Sequence, residues 1–286
     1  MGYFFILLSK ALNQGETMLT RRYSKKHGNG GLFFNSVICL FASVFFFLTD
    51  SEGLFFPKEM FWYGTLNALM IAAGFYSVYR AFQLGSYMLT VLITNFSGVI
   101  VLIYALFYLK EPANLLRYAA ILLTVASIVT VNLEKKEVGQ KWVSFKWFLW
   151  TMVALFSNGV IGILNREQQI AFDTKCDNEF MLLSFGGAFL FLLVLALLLE
   201  RSIMRSALRF GALYGAGIGM LNGGKNLLTL ISYRHLPVSV SSPVGTGSGM
   251  VFSFLVSALI YKEKLKKNQL IGTLLGVAAL ILMALS

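Results

Sequence analysis

Long uncharged apolar runs recur along the chain, separated by short clusters of basic residues, and this pattern constrains the fold more than any motif does. Crossing ~30 Å of hydrocarbon takes about 20 mostly apolar residues at 1.5 Å each. Ten segments approximate that length: 3–20, 31–49, 60–83, 87–109, 113–133, 147–165, 180–199, 210–233, 238–261 and 268–286. Only 13% of the 286 residues are charged, about half the share of a soluble domain, and mean hydropathy is +0.72. The pattern predicts an all-α membrane protein with ten transmembrane helices. A disordered chain, a disulfide scaffold and an ordinary soluble enzyme are excluded.

A net charge of +11 would suit nucleic acid, but the 24 Lys and Arg residues sit in clusters between spans, as in loops that face anionic lipid. The expected partner is therefore the lipid bilayer and not nucleic acid. Cys39 lies in an apolar run and Cys176 in a polar stretch, and the chain has no CxxC pair. His27 and His235 are 208 residues apart, so neither a disulfide, a metal site nor a bound cofactor is expected. Tyr3 to Leu8 is short, with no basic segment before it and no Ala-x-Ala site after it, and reads as the start of a retained membrane helix. Asp173, Asp177 and Glu179 form a weak acidic loop, and P-loop, GxSxG and HExxH signatures are lacking.

Shifting the chain by 152 residues places 81–132 on 233–284 without a gap, with nine identities in 52 positions. Leu84 falls on Leu236, Thr94 on Thr246 and Lys110-Glu111 on Lys262-Glu263. The Lys-Glu pair follows the same helix break at the same distance, which indicates an internal repeat. Residues 1–133 and 147–286 would be the two five-helix repeats, joined by a polar linker at 134–146. Five is odd, so the second repeat enters the membrane from the opposite side and the repeats are inverted. Secondary transporters are commonly built this way, with a mid-membrane site where the repeats meet.

The block Leu236-Pro237-Val238-Ser239, then Ser242-Pro243, Tyr261-Lys262-Glu263-Lys264-Leu265 and Asn268-Gln269-Leu270-Ile271-Gly272 resembles the EamA-type domains of the drug/metabolite transporter superfamily. The first half carries Lys110-Glu111-Pro112 but has Val91 where the second has Pro243. The resemblance implies a ten-helix carrier of small metabolites.

Side chains that lipid rejects are the functional candidates, since a charge at a helix centre costs at least ~2.5–3.5 kcal/mol. Lys10, with Asn13 and Gln14 on one face of span one, and Lys225, with Asn222, Asn226 and Thr229 in span eight, are polar stripes at similar depth. If both face one cavity, they attract an anionic or zwitterionic solute such as an amino or organic acid. Alternatively, each is neutralised by a structural partner or snorkels to an interface. Glu16 lies 240° around the helix from Lys10, and is either a proton- or cation-coupling carboxylate or a rim residue beside Arg21 and Arg22. Glu111 and Glu263 read as structural acids at helix starts. Pro243 and the glycines 245, 247 and 249 mark a loosened helix lining the cavity or a close helix crossing, with Asn95 and Thr246 in the matching stretches. Tyr76, Tyr79 and Tyr87 are either aromatic walls or belt residues.

Lys10 and Lys225 aside, loops after odd-numbered spans hold 16 basic residues and those after even-numbered spans six. The positive-inside rule puts both termini outside, whereas the family resemblance implies both inside. The expectation is a secondary carrier in the cytoplasmic membrane, moving a small polar metabolite by alternating access, with a proton or cation as possible coupling partner. An intramembrane enzyme acting on a lipid-soluble substrate is the alternative.

Overall fold

The computed structural model describes residues 1–27, 30–50, 53–85, 87–110, 115–132, 144–202, 204–261 and 267–284. Among them the chain forms eleven α-helices and no strand. In order these are α1 (Gly2–Lys26), α2 (Gly31–Thr49), α3 (Met60–Leu84), α4 (Tyr87–Asn95), α5 (Ser97–Phe107), α6 (Leu115–Asn132), α7 (Phe145–Ala171), α8 (Asp177–Leu199), α9 (Met204–His235), α10 (Val238–Leu259) and α11 (Lys267–Ala284). Lipid offers the backbone no hydrogen bonds, so each crossing segment satisfies its own by coiling into a helix. Four of them, α2, α7, α8 and α10, are by themselves long and apolar enough to cross a membrane. Together α4 and α5 form one span, which gives ten spans in all.

Several spans differ from the sequence expectation, and α7 and α9 run well beyond the expected 147–165 and 210–233. The first span runs on to Lys26 because its polar residues find partners inside the bundle. The fourth is interrupted at Phe96, where N–H groups of Phe96 and Val99 reach back three residues, to Ile93 and Phe96. Such a tight turn is a local break in the α-helical ladder. By contrast α10, the expected loosened helix, is continuous through Pro243. Glu111, Pro112, Lys262, Glu263 and Lys264, and the linker as far as residue 143, lie outside the described residues.

The repeat is visible in which helices touch. α3 packs on α7 and α8, and its counterpart α9 packs on α1 and α2. α1 meets α10 as α7 meets α4 and α5, while α2 pairs with α8 and α6 with α11. Helix ends follow the 152-residue shift: α5 ends at Phe107 and α10 at Leu259. Glu200, which follows α8, accepts from the N–H groups of Leu32 and Phe33 at 3.0 and 3.2 Å, so one repeat caps a helix of the other.

Inside a membrane, helices associate by close packing rather than by escaping water. Phe46, Met60, Phe180, Phe185 and Leu192 interlock where α2, α3 and α8 meet. Between α2 and α9 the approach is closer still: a Cβ on Gly219 would stand 2.6 Å from the backbone oxygen of Ile38. Glycine is required there. Trp62, Leu198 and Leu213 point outward, as lipid-facing residues should.

Candidate functional site

α1 and α9 meet along a polar seam. Ser9 Oγ donates to the Lys225 carbonyl at 2.9 Å and lies 2.8 Å from Thr229 Oγ1. Lys225 Nζ reaches Glu16 Oε2 at 2.6 Å and donates to Asn13 Oδ1 at 3.0 Å. Asn222 Nδ2 donates to Glu16 Oε1 at 2.9 Å, and Asn226 Nδ2 donates to Asn222 Oδ1 at 2.8 Å. A buried charge pair is tolerable only when other polar groups support it, and this chain of amides supplies such groups.

Beside the seam is a cavity of about 210 Å³, bounded by α1, α2, α3, α4, α7 and α9 and by Ser97 at the start of α5. It is smaller than the ~300–1,000 Å³ of drug-sized sites, so its capacity suits a small solute. Lys10, Asn13, Glu16, Asn95, Lys225 and Asn226 all line it. A second lobe of about 120 Å³ shares Lys10 and Asn95 and adds Gly98, Ser241, Ser242 and Thr246. This lobe extends toward the end of the bundle where α1 and α10 begin and α9 ends.

The packing brings some of the candidate side chains together and separates others. Glu16 is not a rim residue: α1 continues ten residues beyond it, and Lys225 and Asn222 hold it inside. Gln14 does not face the cavity with Lys10. It bonds to Ser253 at 3.0 Å and accepts from Tyr87 at 2.8 Å, because its position on the helix turns it toward α10 and α4 while Asn13 turns toward α9. Asn222 is fully buried behind Glu16. The glycines of α10 make a close crossing: Gly245 lies against Lys10 and Gly249 against Asn95. Tyr79 and Tyr87 are buried, and Tyr76 stacks edge-on against Trp150, so the rings on the cavity wall are Phe75, Phe82 and Tyr233.

Sequence reasoning missed Asn158 and Asn165, which put α7 on the cavity wall. Two asparagines seven residues apart share a helix face, so the signal was present in the sequence. The acidic loop has structural work: Asp177 takes Arg234 at 2.6 Å, and Glu179 accepts from the Phe55 N–H.

Rings and a cation pack together at the opposite end of the bundle. Arg21 stands 4.0 Å over the Tyr261 ring and 5.2 Å over Tyr87. Tyr23 stacks on Phe34 at 3.8 Å, and Tyr79 Oη donates to the His27 carbonyl at 2.6 Å.

A solved crystal structure, described only as that of a protein, has the same fold with a TM-score of 0.70 at 13% identity, covering 99% of this chain and 95% of that one. No curated protein matches the chain in sequence. The sequence profile of the EamA-like transporter family matches residues 1–133 and 145–285, one block for each repeat. With nearly the whole chain matched, and ten spans in two packed repeats to carry the match, the protein belongs to the EamA-like transporter family, multi-pass membrane transporters of the drug/metabolite superfamily.

Proposed function

We propose that the protein is a secondary carrier of the cytoplasmic membrane that moves a small anionic or zwitterionic metabolite by alternating access between its two inverted repeats. The observation that carries this reading is the polar cavity between the repeats, lined by Lys10, Lys225, Glu16 and six asparagines. Polar side chains inside membrane spans mark solute pathways, because lipid would reject them. Residues of α1, α3 and α4 face residues of α7 and α9 across the cavity, which is where a rocking motion of the repeats would change access.

Lys10, Asn13, Asn95, Asn226 and Thr246 are assigned to the solute, Asn222 and Gln14 to holding the wall. Glu16 is the candidate for coupling to a proton or cation, since any change in its charge releases Lys225. In the test, Lys225→Met abolishes uptake and efflux by cells while leaving folded protein in the membrane. Wild-type transport by that variant removes Lys225 from the site. Transport accompanied by chemical conversion of the solute would replace the carrier with an enzyme.

A further inference from the structure

Among the described residues, three ionisable side chains that are charged at neutral pH line the cavity, and two of them answer each other. Glu16 and Lys225 are 2.6 Å apart, and each has one further partner, Asn222 donating to Glu16 and Asn13 accepting from Lys225. Lys10 is left over. It makes no ion pair among the described residues, and its stem lies on bare backbone, with 3.0 Å between Cε and a Cβ built on Gly245.

Asn95 lies on the same strip of α10, its Oδ1 3.2 Å from a Cβ built on Gly249. Its Nδ2 is buried with no hydrogen-bond partner among the described residues. Residues four apart on a helix stand one above the other, so the spare cation and the spare amide donor are neighbours about one turn apart. Both line the two lobes of the cavity. On the same cavity wall, Asn165 is almost fully buried with Oδ1 unpaired among the described residues, an acceptor for a hydroxyl or amide of the solute.

We propose that Lys10 and Asn95 form a subsite for one carboxylate, and that the solute is a hydroxylated or amide-bearing monoanion rather than an amino-acid zwitterion or a dianion. This rests on the carrier reading above and sharpens it. The cavity's charge sums to one positive unit, which a monoanion cancels. A zwitterion's ammonium would have to displace Lys225 from Glu16, the one carboxylate on the described wall. A dianion would leave a negative charge uncompensated where the dielectric is low. A carboxylate held by a lysine and an amide N–H gains charge-assisted bonds without disturbing the α1–α9 seam.

The test is thermal stabilisation of the purified protein by solutes of three to seven carbons in four classes: lactate and gluconate; lactamide and gluconamide; alanine and glutamine; malate and glucose 6-phosphate. Ligand binding to the folded state raises its stability in proportion to occupancy. Saturable stabilisation should be confined to the monoanions and weaken about tenfold or more in both Lys10→Met and Asn95→Asp, the second being nearly isosteric and thus a check on misfolding. Stronger stabilisation by the amides, amino acids or dianions, or monoanion binding unchanged in both variants, overturns the subsite and leaves the carrier standing. No stabilisation by any class overturns the small-polar-solute reading, and the subsite with it.

Discussion

Glu16 on α1 and Lys225 on α9 form an ion pair of 2.6 Å that bridges the two repeats, with side chains only 10% and 18% exposed. Attraction between such charges is strong in a low dielectric, but so is the cost of removing them from water. The pair therefore contributes little net stability while making each member depend on the other. Its consequence is registry: α1 and α9 cannot slide without separating the charges.

That dependence predicts non-additive mutations. Glu16→Gln leaves the Lys225 charge uncompensated and should cost about 3–5 kcal/mol, the figure for breaking one side of a buried pair. Adding Lys225→Met to it should recover much of the loss. Thermal unfolding of the single and double variants in one detergent checks this, and additive losses would contradict the coupling.

Gly219 offers a test of the packing. Alanine there must push against the Ile38 backbone at 2.6 Å, and backbone cannot rotate away as a side chain can. Gly219→Ala should lose about 1–3 kcal/mol by overpacking, despite the gain in helix propensity. Gly217, which has nothing within 4 Å of a built Cβ, is the matched control and should be neutral or slightly stabilised as alanine. Equal unfolding temperatures for the two variants would contradict the α2–α9 contact.

Orientation can be decided from charge. Among the described residues, the end that carries Arg21, Tyr87 and Tyr261 also holds most of the loop lysines and arginines, and the positive-inside rule predicts that it is cytoplasmic. Reporters fused to either terminus, active only in the cytoplasm, should then be silent. Activity at either terminus would reverse the assignment and agree instead with what the family resemblance implies.

The spans were legible in the sequence because lipid enforces one rule on every residue of a crossing segment. The second span, read as 31–49, matches α2 end for end. Lys10, Lys225 and Asn226 stood out because a polar residue inside an apolar run has few destinations. What was not legible is which neighbour each polar side chain finds. Glu16 lay close to a boundary set by hydropathy, and only the α9 partners show that its helix continues past it. Gln14 and Asn13 are adjacent in sequence yet turn to α10 and α9, a division that depends on how three helices pack. The break at Phe96 has no Gly or Pro at that residue to announce it.

The central claim is that a polar, solute-accessible cavity lies between the repeats. Cys39 and Cys176 are both buried, and burial together with the Glu179 and Asp177 carboxylates pushes the Cys176 thiol above its usual range, so the native thiols should react slowly. With both replaced by serine, Asn226→Cys becomes a single thiol on the cavity wall. The most direct measurement is its reaction with a small, membrane-impermeant thiol reagent applied to sealed vesicles. The account predicts labelling, faster from the side bearing the termini, toward which the second lobe extends, and slowed by a bound solute. No labelling from either side in folded protein would contradict it.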